Sequence, residues 1–402
     1  MARNTDRKMA LTGDAAASYA MKQIEPDVVA AFPITPQTEI VMNFSQFIAD
    51  GEVRSKMIPV ESEHSAMSAC VGSCAAGART MTATSANGLA LMWEVLYIAA
   101  SSRLPIVMSV VNRALSGPIN IHCDHSDSMG ARDSGWIQIY CENAQEVYEN
   151  LIMAVRIAEH PDIRLPVMVC QDGFITSHTM EGVNTFDKDQ VRRFLGDYQP
   201  AYPLLNVDNP VTHGPFDLPD YYFEHKRQQS DAMTTALKRI PNIFAEFEDT
   251  FGRQYRFVEP YRLDDAEVAV IVLSSTAGTA KTVVDRLRKQ GIRAGLLKLR
   301  FVRPFPAGSV CNALNGVKAI GVMDRSDTFS ARGGPLYAEI TSLLYEAGRR
   351  IAVVNYIFGL GGREINPEMI ETIFSDLTAI ARKETVKNRV NYVGVREQGD
   401  VL

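Results

Sequence analysis

The chain has 402 residues, 46% of them hydrophobic and 22% charged, a globular composition long enough for two or three domains. A net charge of −6 argues against nucleic acid or an anionic membrane as partner, and no run is apolar for the ~18–20 residues that a spanning helix needs. The opening MARNTDRKMALTG lacks the apolar core of a secretion signal, so the cysteines are expected to be reduced thiols in a cytoplasm.

The first ~175 residues alternate two patterns. DVVAAFPI, TMTATSA, LPIVMSVVNR and LPVMVCQDG read as buried parallel strands, being short runs closed by turn residues. Between them lie helical stretches such as SEHSAMSACVGSCAAG and AQEVYENLIMAVRIAEH. This is the rhythm of an open parallel α/β sheet with helices on both faces, whose ligands sit at the carboxyl ends of strands. From about residue 178 the periodicity fails. GDYQPAYPLLNVDNPVTHGPFDLPDYY holds five prolines, and residues 178–260 are expected to be an irregular connection that completes the first domain and contacts partners. A second α/β unit, 261–402, starts at AEVAVIVLSSTAGTAKTVVDRLRKQ and continues through GVKAIGVMDRS and IAVVNYIFGLGG. Its STAGT turn, at a helix start, fits hydroxyl capping by Ser275 or Thr276, or an anion site.

Four absences narrow the chemistry. There is no G-x-x-x-x-G-K-[ST] loop, no G-x-S-x-G elbow and no His pair with ligand spacing. Cys70, Cys74, Cys123, Cys141, Cys170 and Cys311 form no C-x-x-C, so the chain alone does not ligate an iron–sulfur cluster in the usual way. Cys70 and Cys74 share a helix face in a run of small residues, which points to close helix packing before a redox pair.

Three places remain for chemistry. Thr35, between Pro33 and Pro36, is a hydroxyl on a stiffened turn, suited to a carbonyl or carboxylate oxygen or simply ending a strand. In IPVESEHSA, Glu61 and Glu63 enter a small-residue helix, where a carboxyl is either a first-turn cap or a desolvated proton-transfer group. In SVVNRALSGPINIHCDHSDSMGARDSGW, Arg113 leaves a strand end, well placed for a two-pronged carboxylate contact. Beyond it, His122, Asp124, His125, Asp127, Arg132 and Asp133 form a self-paired polar loop or a metal site.

TGDAAASYAMKQIEPDVVAAFPITPQTEI, ESEHSA, TATSANGLALMWE and NRALSGPINIHCDHSDSMGARDSGWIQIYCENAQEVYEN resemble α subunits of the pyruvate:ferredoxin oxidoreductases, within the 2-oxoacid:ferredoxin oxidoreductase family. The resemblance covers nearly the whole chain. It implies a pyrimidine-type thiamine-diphosphate-binding domain at 1–177 and a domain like the carboxy-terminal one of transketolase at 261–402. The implied activity is oxidative decarboxylation of pyruvate with coenzyme A to acetyl-CoA and CO₂, electrons passing to ferredoxin, reversible as a pyruvate synthase. The implied partners are β-, γ- and δ-type subunits, one of which supplies the diphosphate and Mg²⁺ half of the site through a G-D-G motif absent here, while [4Fe-4S] clusters also lie on partners. Glu63 would hydrogen-bond N1′ of the aminopyrimidine and promote the imino tautomer that takes the C2 proton. Thr35 and Arg113 would hold pyruvate's oxygens, and Ser85, Asn87 and Gly88 of the TSANG turn would line the cofactor pocket. No metal ligand is expected in this chain. Two other readings stay open: a subunit acting on 2-oxoisovalerate or another 2-oxoacid, and a subunit of a non-redox thiamine enzyme.

Overall fold

The computed structural model describes residues 7–383 and 385–396. The chain opens with β1 (Arg7–Leu11), α1 (Gly13–Ile24), β2 (Val28–Ala31), α2 (Thr38–Ala49), β3 (Lys56–Pro59), α3 (Glu63–Ala76) and β4 (Thr80–Thr84). It continues through α4 (Ala86–Leu91), α5 (Trp93–Ser101), β5 (Val107–Asn112), α6 (Ser126–Gly130), β6 (Ile137–Tyr140), α7 (Ala144–Ala158) and β7 (Val167–Asp172). Next come β8 (Glu181–Thr185), α8 (Lys188–Leu195), α9 (Tyr222–Phe251), β9 (Val258–Tyr261), β10 (Val268–Val272), α10 (Thr276–Lys289) and β11 (Ala294–Leu299). The last elements are β12 (Phe301–Arg303), α11 (Ala307–Ala313), β13 (Ala319–Asp324), α12 (Pro335–Glu346), β14 (Ala352–Phe358), α13 (Pro367–Lys383) and β15 (Val390–Val393).

Two compact units result. One holds residues up to Asn112, Gly130–Arg256 and Phe301–Phe305; the other holds Arg113–Met129, Phe257–Arg300 and residues from Pro306 onward. The first unit is built on a seven-stranded sheet of order β12-β6-β7-β5-β4-β2-β3, parallel except where β12 adds to β6. β4, β5 and β7 are buried along their whole length, as strands covered on both faces must be. From β2 the chain first moves outward to β3, then returns to place β4 on the other flank of β2. The carboxyl ends of β2 and β4 therefore flank a topological switch point, where an open α/β sheet leaves a crevice.

α3 covers β2 and β4 with small side chains, bringing Cys70 Sγ to 3.9 Å from the Ala30 and Met81 carbonyl oxygens. Cys70 and Cys74 are buried, and burial pushes the Cys70 thiol up to about 12, so both pack as small apolar residues.

The second unit carries a six-stranded sheet of order β15-β14-β13-β10-β11-β9, parallel except for β9 against β11. Val268, Val270 and Val272 of β10 share a core with Ala280, Val284 and Leu287 of α10 and with Phe374 and Leu377 of α13. Both units are thus the parallel α/β architecture that the apolar runs predict.

Two expectations need correcting. Residues 178–260 are not irregular throughout: β8 pairs antiparallel with β1, α8 follows, and α9 runs for 30 residues with Pro241 inside it. The buried positions of α9, Ala232, Ala236, Ile240, Ile243, Phe244 and Phe247, recur at helical spacing, and that periodicity outweighs the one proline. The irregular part is 196–221, where all five prolines of that stretch lie. The other concerns AGLLKLRFVRPFP, which reads as one strand of the second unit ending in Arg-Pro-Phe-Pro. Its strand ends at Leu299, and Phe301–Arg303 pairs instead with β6 as the edge of the first sheet.

Candidate functional site

Glu63, Thr84, Ser85 and Gly88 come together where β4 ends. Glu63 is the first residue of α3, whose start is capped by Ser62 Oγ accepting from Ser65 N at 3.3 Å. Its side chain is 6% exposed, and among the described residues the carboxylate's hydrogen-bond partner is its own backbone N–H. Burial raises its pKa above the ordinary carboxyl value. Gly88, in α4, is pressed against it: a Cβ there would meet Glu63 Oε1 at 2.7 Å, Glu63 Cγ at 2.8 Å and Thr84 Oγ1 at 2.5 Å. Only a glycine leaves that carboxylate where it stands. Thr84 Oγ1 is itself buried without a hydrogen-bond partner. A buried acid and an orphaned hydroxyl thus share one cradle, with donor and acceptor capacity that the chain itself does not use.

Glu61, two residues away, is in a different state. It is exposed, and a bond from the Ser65 hydroxyl holds its carboxyl below the usual range. The environment separates the two glutamates: burial raises the Glu63 pKa, while the Ser65 hydroxyl lowers that of Glu61.

The turn at β4 carries strain. Ala86 has φ +41°, a left-handed conformation costly for a residue with a Cβ, and it sits between Ser85 and Gly88. Ser85 is fully buried and donates from Oγ to the Val111 carbonyl at 2.6 Å, so its hydroxyl ties the end of β4 to β5. Asn87 is exposed on α4. Of the three TSANG residues singled out above, Gly88 faces Glu63, while the Ser85 side chain is committed to the fold.

Thr35 is exposed in the turn after β2. That turn is stitched in place by a residue to which local pattern does not point. Gln37 is fully buried, donates from Nε2 to the Ala83 carbonyl at 2.6 Å and accepts from Ile34 N at 3.3 Å. Its backbone N–H also donates to Ile34 O at 2.8 Å. Gln37 therefore anchors the Thr35 turn to the last residues of β4. The only trace of it in sequence is a polar residue directly after the second proline.

Arg113 belongs to the second unit and is 7% exposed. Its N–H donates to Asp127 Oδ2 at 3.0 Å, and its Nε donates to the Asn120 carbonyl at 2.9 Å. The His/Asp loop beyond it is largely self-paired. Asp124 Oδ1 accepts from Ser126 N (3.0 Å) and Oγ (2.6 Å), and its Oδ2 accepts from Gly361 N at 3.1 Å. Asn120 Nδ2 donates to Gly361 O at 3.0 Å, so the glycine turn of FGLGG grips this loop through its backbone. Asp124 and Asp127 hold backbone, which favours the self-paired reading over a metal site there.

At the STAGT turn, hydroxyl capping does not form. Ser275 occupies the cap position without a side-chain cap bond, and Ser274 before it has φ +53° and a buried Oγ without a hydrogen-bond partner. No helix among the described residues is long and apolar enough to cross a membrane.

Residues 19–245 match the family described as pyruvate flavodoxin/ferredoxin oxidoreductase, thiamine diP-binding, and residues 266–370 match pyruvate:ferredoxin oxidoreductase core domain II. The pyruvate synthase subunit PorA of Thermotoga maritima is 57% identical over 97% of this chain and 98% of its own. The ketoisovalerate oxidoreductase subunit VorA of Pyrococcus abyssi is 42% identical over 96% of this chain and 97% of its own. Among solved structures, a 2-oxoglutarate:ferredoxin oxidoreductase from Magnetococcus marinus, with 2-oxoglutarate, coenzyme A and succinyl-CoA bound, superposes with a TM-score of 0.72 at 19% identity. That match covers 94% of this chain and 66% of the other, and it carries the fold.

Proposed function

We propose that this chain, which belongs to the pyruvate flavodoxin/ferredoxin oxidoreductase family, is the subunit of a pyruvate:ferredoxin oxidoreductase that holds the aminopyrimidine half of thiamine diphosphate. The observation that carries this reading is the Glu63 cradle: a buried carboxylate of raised pKa, a neighbouring hydroxyl without a partner, and a glycine that admits no Cβ, all at the switch point of the first sheet. Glu63 would hold the ring at N1′, sharing or passing a proton there. Thr84 and the backbone around Gly88 would line the ring's edge. The bound cofactor supplies the carbon nucleophile that attacks a 2-oxoacid. In the first unit the substrate-binding group would be the Thr35 hydroxyl, on the turn that Gln37 anchors; in the second it would be the Arg113 guanidinium. The single arginine and the threonine suit a monocarboxylate; a 2-oxoglutarate enzyme needs a further cation for the distal carboxylate.

The diphosphate, Mg²⁺ and [4Fe-4S] clusters fall to β-, γ- and δ-type partner subunits, because this sequence has neither a G-D-G motif nor a C-x-x-C. Coenzyme A and ferredoxin are the remaining reactants, and the complex works in the cytoplasm. The stretch 196–221 and the start of α9 expose Tyr202, Leu205, Val207, Phe216 and Phe223, which supports their packing against a partner subunit.

The test is an anaerobic visible spectrum of the complex purified through this chain, recorded before and after pyruvate and then coenzyme A. Bleaching of a broad absorption near ~400 nm on pyruvate is the expected result for reduction of iron–sulfur clusters. Bleaching only with 2-oxoisovalerate would move the substrate to that of the ketoisovalerate relative. A colourless complex would contradict the redox reading.

A further inference from the structure

Away from the Glu63 cradle, the first unit holds a second carboxylate that the fold leaves unsatisfied. Asp14, the second residue of α1, is fully buried; its Oδ1 accepts from Gln171 Nε2 at 3.0 Å, and its Oδ2 has no hydrogen-bond partner. Gln171 Oε1 is likewise buried without a partner. Burial, with the Glu39 charge nearby, holds the Asp14 pKa well above the ordinary carboxyl value. A lone acceptor oxygen in such a place calls for either a proton or a cation.

Two further ligand types stand around that oxygen. Glu39 lies in the first turn of α2, and His178 lies in the turn after β7, its Nδ1 3.9 Å from Asp14 Oδ2. One ligand atom from each of Asp14, Glu39 and His178 lies within 4.8 Å of the other two. The frame holding them is tight. Gly13 N and Asp14 N donate to Thr176 O and Ser177 O, each at 3.0 Å, and Thr12 Oγ1 caps α1 by accepting from Ala15 N at 3.1 Å. A Cβ at Gly13 would meet Gln171 Oε1 at 2.2 Å and Thr176 O at 2.6 Å, so this approach of α1 to the turn after β7 requires glycine. His178 Nδ1, the nitrogen 3.9 Å from Asp14, also lies 2.7 Å from Ser177 Oγ and exchanges that bond for the cation, while the ring packs on Phe174, whose centroid is 4.9 Å away.

We propose that Asp14, Glu39 and His178 bind one divalent transition cation, which ties the starts of α1 and α2 to the turn after β7. Two carboxylates with one imidazole suit Zn²⁺ or Mn²⁺ better than Mg²⁺ or Ca²⁺, which favour all-oxygen shells. Ligation at ~2.0–2.2 Å brings ligand atoms to roughly 3–3.5 Å from one another, so the three must draw in by about 1 Å. Glu39 and His178 are exposed and can make that movement, and their exposure is also the entry path; Asp14 stays fixed. Because α2 directly follows the Thr35 turn, the cation also steadies that turn. The site stands on these contacts alone and does not depend on the thiamine reading.

The test is equilibrium dialysis of the full chain, stripped by chelator, against Zn²⁺, with Co²⁺ absorption as a coordination signature. Cys311, the one half-buried cysteine beside five buried ones, is replaced by Ser throughout so that its thiol does not compete. The expected result is one equivalent bound in the micromolar range, with a raised thermal midpoint. Asp14→Asn and His178→Gln each weaken it at least about tenfold. His178 is exposed, so His178→Gln reads the site without endangering the fold. Failure of the parent chain to take up one equivalent, or equal uptake by parent and both variants, would overturn the proposal and leave Asp14 as a buried structural acid.

Discussion

Glu63 in the first unit and Asp324 in the second are both buried carboxyls with raised pKa values, yet their surroundings differ in kind. Asp324, at the end of β13, is satisfied on both oxygens: it accepts from Leu336 N at 2.8 Å, Tyr337 N at 3.1 Å and Asn355 Nδ2 at 2.8 Å. Burial outweighs those donors and lifts it to about 7. It fastens the first turn of α12 to the sheet, a structural task. Glu63 is buried as well, though less deeply, but has only its own backbone N–H, with the Thr84 hydroxyl unpartnered beside it. Burial alone therefore does not mark a working acid. The difference lies in whether the fold has already used the group's hydrogen-bonding capacity: Asp324 has spent it, and Glu63 has not.

Breaking that difference should have its largest effect at Glu63. Glu63→Gln keeps the shape and removes the titrating proton; turnover of the complex should fall by about 10²–10⁴-fold, the range for loss of a general acid–base group. Near-normal turnover would equate Glu63 with Asp324 as a structural acid. Gly88→Ala leaves Glu63 in the chain but drives a Cβ into its carboxylate and into Thr84 Oγ1. A displacement of about 1 Å should cost on the order of 10²-fold in turnover while the circular dichroism of the chain is retained. An unchanged rate would mean that the carboxylate's placement does not matter.

The smallest effect is on stability and belongs to Asp324. Its folded pKa of about 7 exceeds the ordinary 3.8, so the folded chain keeps a proton that the unfolded chain releases between those pH values. The stability this proton contributes is full below the unfolded value and is lost as pH rises through the folded one. Asp324→Asn removes the titration. The unfolding free energy of the parent minus that of the variant should fall with rising pH across this window, by up to about 1.4 kcal/mol per unit. Denaturation curves that stay parallel from acid to neutral pH would show that Asp324 does not titrate there.

Much of the fold is legible in the order of residues alone. Unbroken apolar runs such as VMSVVN and VAVIV announce buried parallel strands, and the fold they predict is the fold observed. Glu61 and Glu63 are both legible as acids entering a small-residue helix, and the resemblance, not the pattern, selects Glu63. What local pattern does not carry is long-range pairing. Phe301–Arg303 reads as the end of one sheet and pairs with another, and Gln37 matters through a carbonyl 46 residues away. α9 is hidden because the prolines of 200–219 draw attention from the helical spacing that follows them. Gly88 is visible as a glycine in TSANG, but the reason for it, a carboxylate 2.7 Å from where a Cβ would stand, exists only in three dimensions.

Under the proposed function, Glu63 is the group that would control a proton on the bound cofactor. The most direct measurement is the exchange rate of the thiamine C2 proton with deuterium in the assembled complex, by quenched-flow NMR, for the parent and for Glu63→Gln. Exchange should be slowed by about 10²-fold or more in the variant, with thiamine diphosphate still bound. Equal exchange rates in the two, at equal cofactor occupancy, would contradict that role.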